Sequence, residues 1–138
     1  MGVDKEKTEN LILEKINDEE KERFTFLNTS FEEIENLPKC DLLVSNFAIP
    51  FCHPQNFDKF WKTICNSIKS GGYFLGNFFG LEDGWKINKK MIFLNIEQVR
   101  EMFEDFEMLE IKEKIYDAKT GMEIMKHWDV IDVFAKKK

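Results

Sequence analysis

The residues best equipped for chemistry crowd one short stretch, DLLVSNFAIPFCHP, running from Asp41 to Pro54. It offers an amide at Asn46, aromatic rings at Phe47 and Phe51, a thiol at Cys52 and an imidazole at His53. Aromatic faces attract a cation, and an imidazole can take up a proton near neutral pH. Cys52 and His53 suggest a nucleophile pair. Adjacent side chains seldom point at one another, however, and no loop suited to an oxyanion accompanies them, so this is a minor reading. Metal chemistry is poorly provided for. The three cysteines, at 40, 52 and 65, lack CxxC spacing and the chain has only two histidines, so no metal site is expected.

Such a corner needs a scaffold. CDLLVSNF (40–47) is a nearly continuous apolar run, as expected of a strand covered on both faces. Phe57, Phe60, Trp61, Ile64, Cys65 and Ile68 recur at helical spacing, with Gly71-Gly72 read as the stop of that helix. YFLGNFF (73–79) predicts a second buried strand, and GLEDGWKINKKMIFL (80–94) a loop that carries Trp85. Upstream, residues 5–16 predict an amphipathic helix, 17–23 a polar connection and FTFL (24–27) a short strand. Ser30 with Glu33 has the form of a capping box over a helical turn ended by Pro38.

Downstream, Asn95 with Gln98 opens another helix. Leu109, Ile111 and Ile115 alternate as a strand, residues 117–126 hold a turn, and HWDVIDVFA (127–135) is the last strand. Lys136 to Lys138 reads as a frayed basic end. Strands alternating with helices imply one α/β domain with a mainly parallel sheet, closed by an antiparallel hairpin.

Composition narrows the partners. A net charge of −6 over 138 residues disfavours nucleic acid, whose phosphates call for clustered Lys and Arg. No apolar run approaches the roughly 20 residues of a membrane span. The unpaired cysteines fit a reduced, cytoplasmic setting, and Cys40 and Cys65 read as core residues. The 14 phenylalanines must be buried or used in binding.

Several blocks in order resemble the class I S-adenosylmethionine-dependent methyltransferases, closest to the small bacterial, tellurite-resistance-like branch. They are DLLVSNFAIPFCHP, then FDKFWKTICNSIKSGGYFLGNFFG, GLEDGW, MIFLNIEQVREMFEDFE and HWDVIDVFAKK, spanning residues 40–137. Gly2-Val3-Asp4 and Phe26 to Glu32 resemble the family's second and third strands. The resemblance implies a Rossmann-like fold with the cofactor S-adenosylmethionine across the carboxyl ends of the strands. It places Asp4 at the ribose hydroxyls, Ser30 and Phe31 beside the adenine, and Asn46 and Phe47 at the methyl-transfer centre. Phe51, Cys52, His53 and Trp85 would border a small-molecule acceptor, with His53 the candidate catalytic proton acceptor. From residue type alone, Asp4 is also a solvated helix start, Ser30 a cap and Phe31 a core ring. His53 is also a helix-entry residue, Trp85 a packing residue, and His127 and Trp128 structural.

One family feature has no counterpart. No G-x-G loop precedes Asp4, so the chain reads as N-terminally truncated, its first strand and helix missing. In the resembled fold that strand lies between the second and the fourth, so two strand edges are left open. Two readings follow: a methyltransferase part, weak or inactive by itself, and a non-catalytic interaction module that associates through those edges. A homodimer is one form such association could take.

Overall fold

A computed structural model describes residues 1–138. The strand that leads into the chemistry-rich corner is β3 (Cys40–Ser45), which pairs in parallel with β4 (Ile68–Phe79). Parallel neighbours need a crossover, and α3 (Pro54–Ser67) provides it, entering through Pro54, where a missing N–H costs nothing. Its stripe of Phe57, Phe60, Trp61 and Ile64 is buried. The Trp61 indole lies edge-on to Phe74 at 5.7 Å and to Phe103 at 4.9 Å, and its Nε1 donates to the Met102 carbonyl at 3.2 Å. Phe103 follows α4 (Ile96–Met102), which the Asn95–Gln98 capping box opens. The core therefore forms between α3, α4 and one face of the sheet.

The hairpin closes the sheet. β5 (Phe106–Lys119) and β6 (Met125–Lys137) pair antiparallel, and β6 inserts beside β4, giving the order β3-β4-β6-β5. A second, two-stranded parallel sheet stands apart from this one: β1 (Gly2–Asp4) against β2 (Phe26–Asn28). Between them run α1 (Glu9–Leu13) and α2 (Asp18–Arg23). This is the Rossmann-like mixture of parallel strands and terminal hairpin anticipated above, divided into two sheets.

Four local expectations are corrected. Residues 17–23 are not a plain connection, because Asn17 and Glu20 cap each other and start α2. Helix α2 has no apolar stripe, so periodicity could not reveal it. Gly71-Gly72 does not stop α3. That helix ends at Ser67 and the strand runs through both glycines, Gly71 with φ of 79° at a register shift opposite Cys40 and Leu42. A Cβ on Gly72 would sit 2.9 Å from the Asp41 carbonyl, so the second glycine permits close strand approach. The basic end is not frayed, since the Lys137 ammonium donates to the Cys65 and Ile68 carbonyls at the end of α3. Finally, β3 is covered on one face only: Leu42 and Val44 remain 55% and 58% exposed. No helix is long and apolar enough to cross a membrane.

Candidate functional site

The corner beyond β3 is held by a residue that the sequence pattern did not single out. Asn77, on β4 and 5% exposed, accepts a hydrogen bond from the Phe47 N–H at 2.8 Å through Oδ1. Its Nδ2 donates to Asn46 Oδ1 at 2.9 Å. One buried amide thus clamps both residues that leave the strand. Phe47 needs it, because its φ of 50° lies in the left-handed region that a bulky side chain rarely occupies. Such a conformation persists when the surroundings over-determine it. The available signal was an asparagine inside the apolar run YFLGNFF, since a buried amide must find partners.

Beside the clamp lies an aromatic cluster. Phe47 approaches Phe79 at 6.1 Å and Trp128 at 5.8 Å, and Phe51 approaches Phe79 at 6.1 Å and Trp85 at 6.0 Å. Trp85 meets Trp128 at 5.6 Å, so the loop of residues 80–94 folds back onto the corner. The structure therefore brings together Phe47, Phe51 and Trp85 of the sequence candidates, and adds Phe79 and Trp128.

What anchors that loop is a buried ion pair. Lys126 Nζ lies 2.7 Å from Asp83 Oδ2, with both side chains almost wholly excluded from solvent. The ammonium sits over Trp128, Trp85 and Phe79 at 3.7, 4.3 and 4.9 Å from the ring centres. Asp83 also accepts from the Trp85 N–H at 3.0 Å and the Asp129 N–H at 3.1 Å. Residues 117–126 read as a turn, which hid Lys126; β6 begins at Met125 and carries the lysine inward.

Cys52 and His53 go elsewhere. Cys52 is fully buried within the main core, where burial pushes its thiol up to about 11. Its Sγ contacts the His53 carbonyl, not the imidazole. His53 caps α3, with Nδ1 accepting from the Gln55 N–H at 3.2 Å. The arrangement is a helix entry and not a nucleophile pair, as chain adjacency suggested.

Asp4 ends β1, and its Oδ1 takes the Glu6 N–H at 2.9 Å. Phe31 stacks on Phe60 at 4.6 Å. Ser30 precedes a 3-10 turn, Phe31–Glu33, whose Glu33 carboxylate accepts from the Ser30 N–H and the Thr29 hydroxyl. Those bonds hold the Glu33 carboxyl below its ordinary range. Asp4, Phe31 and Asn46 line a single trough of about 490 Å³ between β1 and β3. Three predicted cofactor residues thus share one cavity, while Trp85 and Phe51 lie on the aromatic side of the Asn46–Phe47 corner.

No protein-family profile matches the chain. The carboxy-S-adenosyl-L-methionine synthase of Nautilia profundicola is 27% identical over 109 residues, which cover 74% of this chain and 46% of that protein. TehB from Haemophilus influenzae superposes with a TM-score of 0.73 at 16% identity, over 99% of this chain and 49% of its own. The N-methyltransferase NodS from Bradyrhizobium japonicum, solved with S-adenosyl-L-homocysteine, gives 0.58 at 10% identity over 86% of this chain and 58% of its own. The chain spans about half the length of these proteins. Topology, hairpin and coverage agree: residues 1–138 have the fold of the class I S-adenosylmethionine-dependent methyltransferases, over about half of its usual extent.

Proposed function

We propose that residues 1–138 carry part of an S-adenosylmethionine-dependent methyltransferase site that acts on a small molecule. The observation behind this reading is the Asn77 clamp, which fixes Asn46 and a left-handed Phe47 at the carboxyl end of β3, where open α/β sheets bind ligands. When bound, S-adenosylmethionine supplies an electrophilic methyl group on a sulfonium. Asp4 fits its ribose, because a carboxylate with one oxygen on the Glu6 N–H still has lone pairs for hydroxyl donors. Ser30 and Phe31 border the adenine, the ring of Phe31 being held by Phe60. Asn46 and Phe47 face the sulfonium end, where an aromatic surface suits positive charge.

Phe51 and Trp85 wall the acceptor side. His53 is the candidate proton acceptor, with Nε2 the free ring nitrogen because Nδ1 caps α3. Most of the rate comes from aligning the acceptor and excluding water, which is what a fixed aromatic corner does. The acceptor is neutral or cationic, and the setting is the cytoplasm. Residues 1–138 alone bind the cofactor weakly, because no glycine-rich loop lies among them. Titration of the 15N-labelled chain with S-adenosylhomocysteine tests this. Shifts confined to Asp4, Asn46, Phe47 and Asn77 at millimolar ligand, lost in Asn77→Ala, support the reading. No shifts, or shifts elsewhere, overturn it, and micromolar affinity overturns the claimed weakness.

A second reading, a non-catalytic module that associates through strand edges, draws on β1 and β3, each paired on one side only.

A further inference from the structure

One carboxylate outside the aromatic corner lies buried without a full set of partners. Asp129, on β6, is 1% exposed. Its Oδ2 accepts the Glu82 N–H at 2.9 Å, its carbonyl accepts the Gly80 N–H at 2.8 Å, and its own N–H donates to Asp83. Its Oδ1 is buried and finds no N–H or hydroxyl donor. Buried polar atoms are nearly always satisfied, and an orphaned oxygen on a charged group is a costly exception. The carboxylate is also wedged in place against Gly80, where a Cβ would lie 2.1 Å from Oδ2.

Other acids surround it. The register sets Ile115 opposite Asp129 and Glu113 opposite Ile131, so Glu113 on β5 shares a face with Asp129, one diagonal step away. Long side chains reach across such a diagonal, and the Glu113 carboxyl meets the Asp129 carboxylate in a side-chain hydrogen bond. Glu82 from the loop and Glu97 from the first turn of α4 add like charge around Glu113. None of these four acids has a Lys, Arg or His nitrogen within 4.0 Å. Lys126 pairs with Asp83, Lys114 with Asp132, and His127, farther along the same face, with Asp117. Two carboxyl groups in contact cannot both ionise freely, and one of them holds its proton more tightly.

We propose that Glu113 and Asp129 share one proton, and that this bridge between β5 and β6 is a pH-sensitive latch on the loop carrying Trp85. With Glu113 protonated, its O–H donates to Asp129 Oδ1 and completes the hydrogen bonds of the buried carboxylate. As pH rises the proton passes to solvent, which the exposed Glu113 reaches directly. Two carboxylates then face each other, and their repulsion bears on Asp129, whose bonds hold Gly80 and Glu82 at the root of the loop. The tether continues to Trp85 through the Gly84 N–H on the His127 carbonyl and the Trp85 N–H on Asp83. Burial, then the hydrogen bond and charge of Asp129, push the Glu113 carboxyl above its ordinary 4.5. The latch is therefore closed on the acid side and opens as pH rises through the raised value. A proton fits better than a metal ion, because no three His, Cys, Asp or Glu side chains are arranged to hold one. The latch does not depend on methyl transfer.

The test is an NMR pH titration of the isotope-labelled 138-residue chain in metal-free buffer. The Glu113 carboxyl should titrate above 4.5, and the Glu82 amide and Trp85 indole signals should move with the same midpoint. Glu113→Gln, whose amide can donate to Asp129 Oδ1 at every pH, should abolish that movement and hold both signals at their acid-side positions. Glu82→Gln and Glu97→Gln each remove like charge and should lower the Glu113 midpoint, while His127→Gln should leave the movement unchanged. Several results overturn the proposal: a Glu113 midpoint at or below 4.5, or one that neither Glu82→Gln nor Glu97→Gln lowers. Loop signals that ignore the Glu113 titration, that still move in Glu113→Gln, or that stop moving in His127→Gln also refute it. Millimolar calcium or magnesium holding the loop signals fixed at neutral pH would mark a cation site in place of a shared proton.

Discussion

Replacing Lys126 with methionine removes one charge and almost no volume. The change leaves Asp83 buried with two backbone N–H donors and no counter-charge. Breaking a buried pair on one side typically costs about 3–5 kcal/mol, because the remaining ion keeps its desolvation penalty. The lost ammonium also gives up three aromatic faces, for up to about 2 kcal/mol, part of which the methionine thioether recovers. We therefore expect Lys126→Met to cost about 3–6 kcal/mol, a large part of the roughly 5–15 kcal/mol typical of a domain. In urea unfolding followed by tryptophan fluorescence, Trp85 and Trp128 report directly on the altered cluster.

The decisive arm is a double-mutant cycle. Adding Asp83→Asn removes the stranded carboxylate and keeps one acceptor oxygen, enough for one of the Trp85 and Asp129 N–H groups. The Lys126→Met/Asp83→Asn protein should be at least about 2 kcal/mol more stable than the sum of the single changes implies. Coupling below about 0.5 kcal/mol, or a Lys126→Met cost below about 1 kcal/mol, refutes the view that this pair anchors the loop.

Other expectations are simpler. Asn77→Ala removes both clamp bonds and frees a left-handed Phe47, at about 1–3 kcal/mol by the same urea assay; a neutral outcome refutes the clamp. A Cβ at Gly80 would meet the buried Asp129 carboxylate at 2.1–2.3 Å, so Gly80→Ala should lower the melting temperature sharply or prevent folding, while Gly121→Ala, with nothing near it, should not. Glu113 has its carboxyl pushed up by burial and by neighbouring Asp129. An acid whose folded pKa is raised contributes stability at low pH that is lost as pH rises through that value, so Glu113→Gln should raise the melting temperature at pH 8 relative to wild type and change it little at pH 4. Equal effects at both pH values would refute this. With its thiol near 11, buried Cys52 should resist alkylation at pH 8 in the folded protein, and rapid labelling at Cys52 would contradict its place in the core.

Much of this architecture was legible in the chain because local rules and burial agreed. The stripe from Phe57 to Ile64 is α3, the Asn95–Gln98 pair caps α4, and the run 40–45 is β3. Where a local rule acted alone, the pattern misled. Helix α2 has caps but no apolar face, and the glycines at 71 and 72 serve a strand irregularity rather than a helix end. Residue type likewise marked Phe47 and Phe51 in one corner, and the family resemblance added Trp85, which the structure brings to Phe51.

The sequence by itself determined β3, α3, β4, α4 and the closing hairpin, their order, and the corner where a ligand could sit. Periodicity, caps and turn residues act over a few positions, so they are written locally. Only the tertiary structure decided that Asn77 clamps Asn46 and Phe47 and that Lys126 fills an aromatic box. Those roles depend on side chains meeting across strands 31 or 43 residues apart in the chain, a distance over which no local pattern carries information.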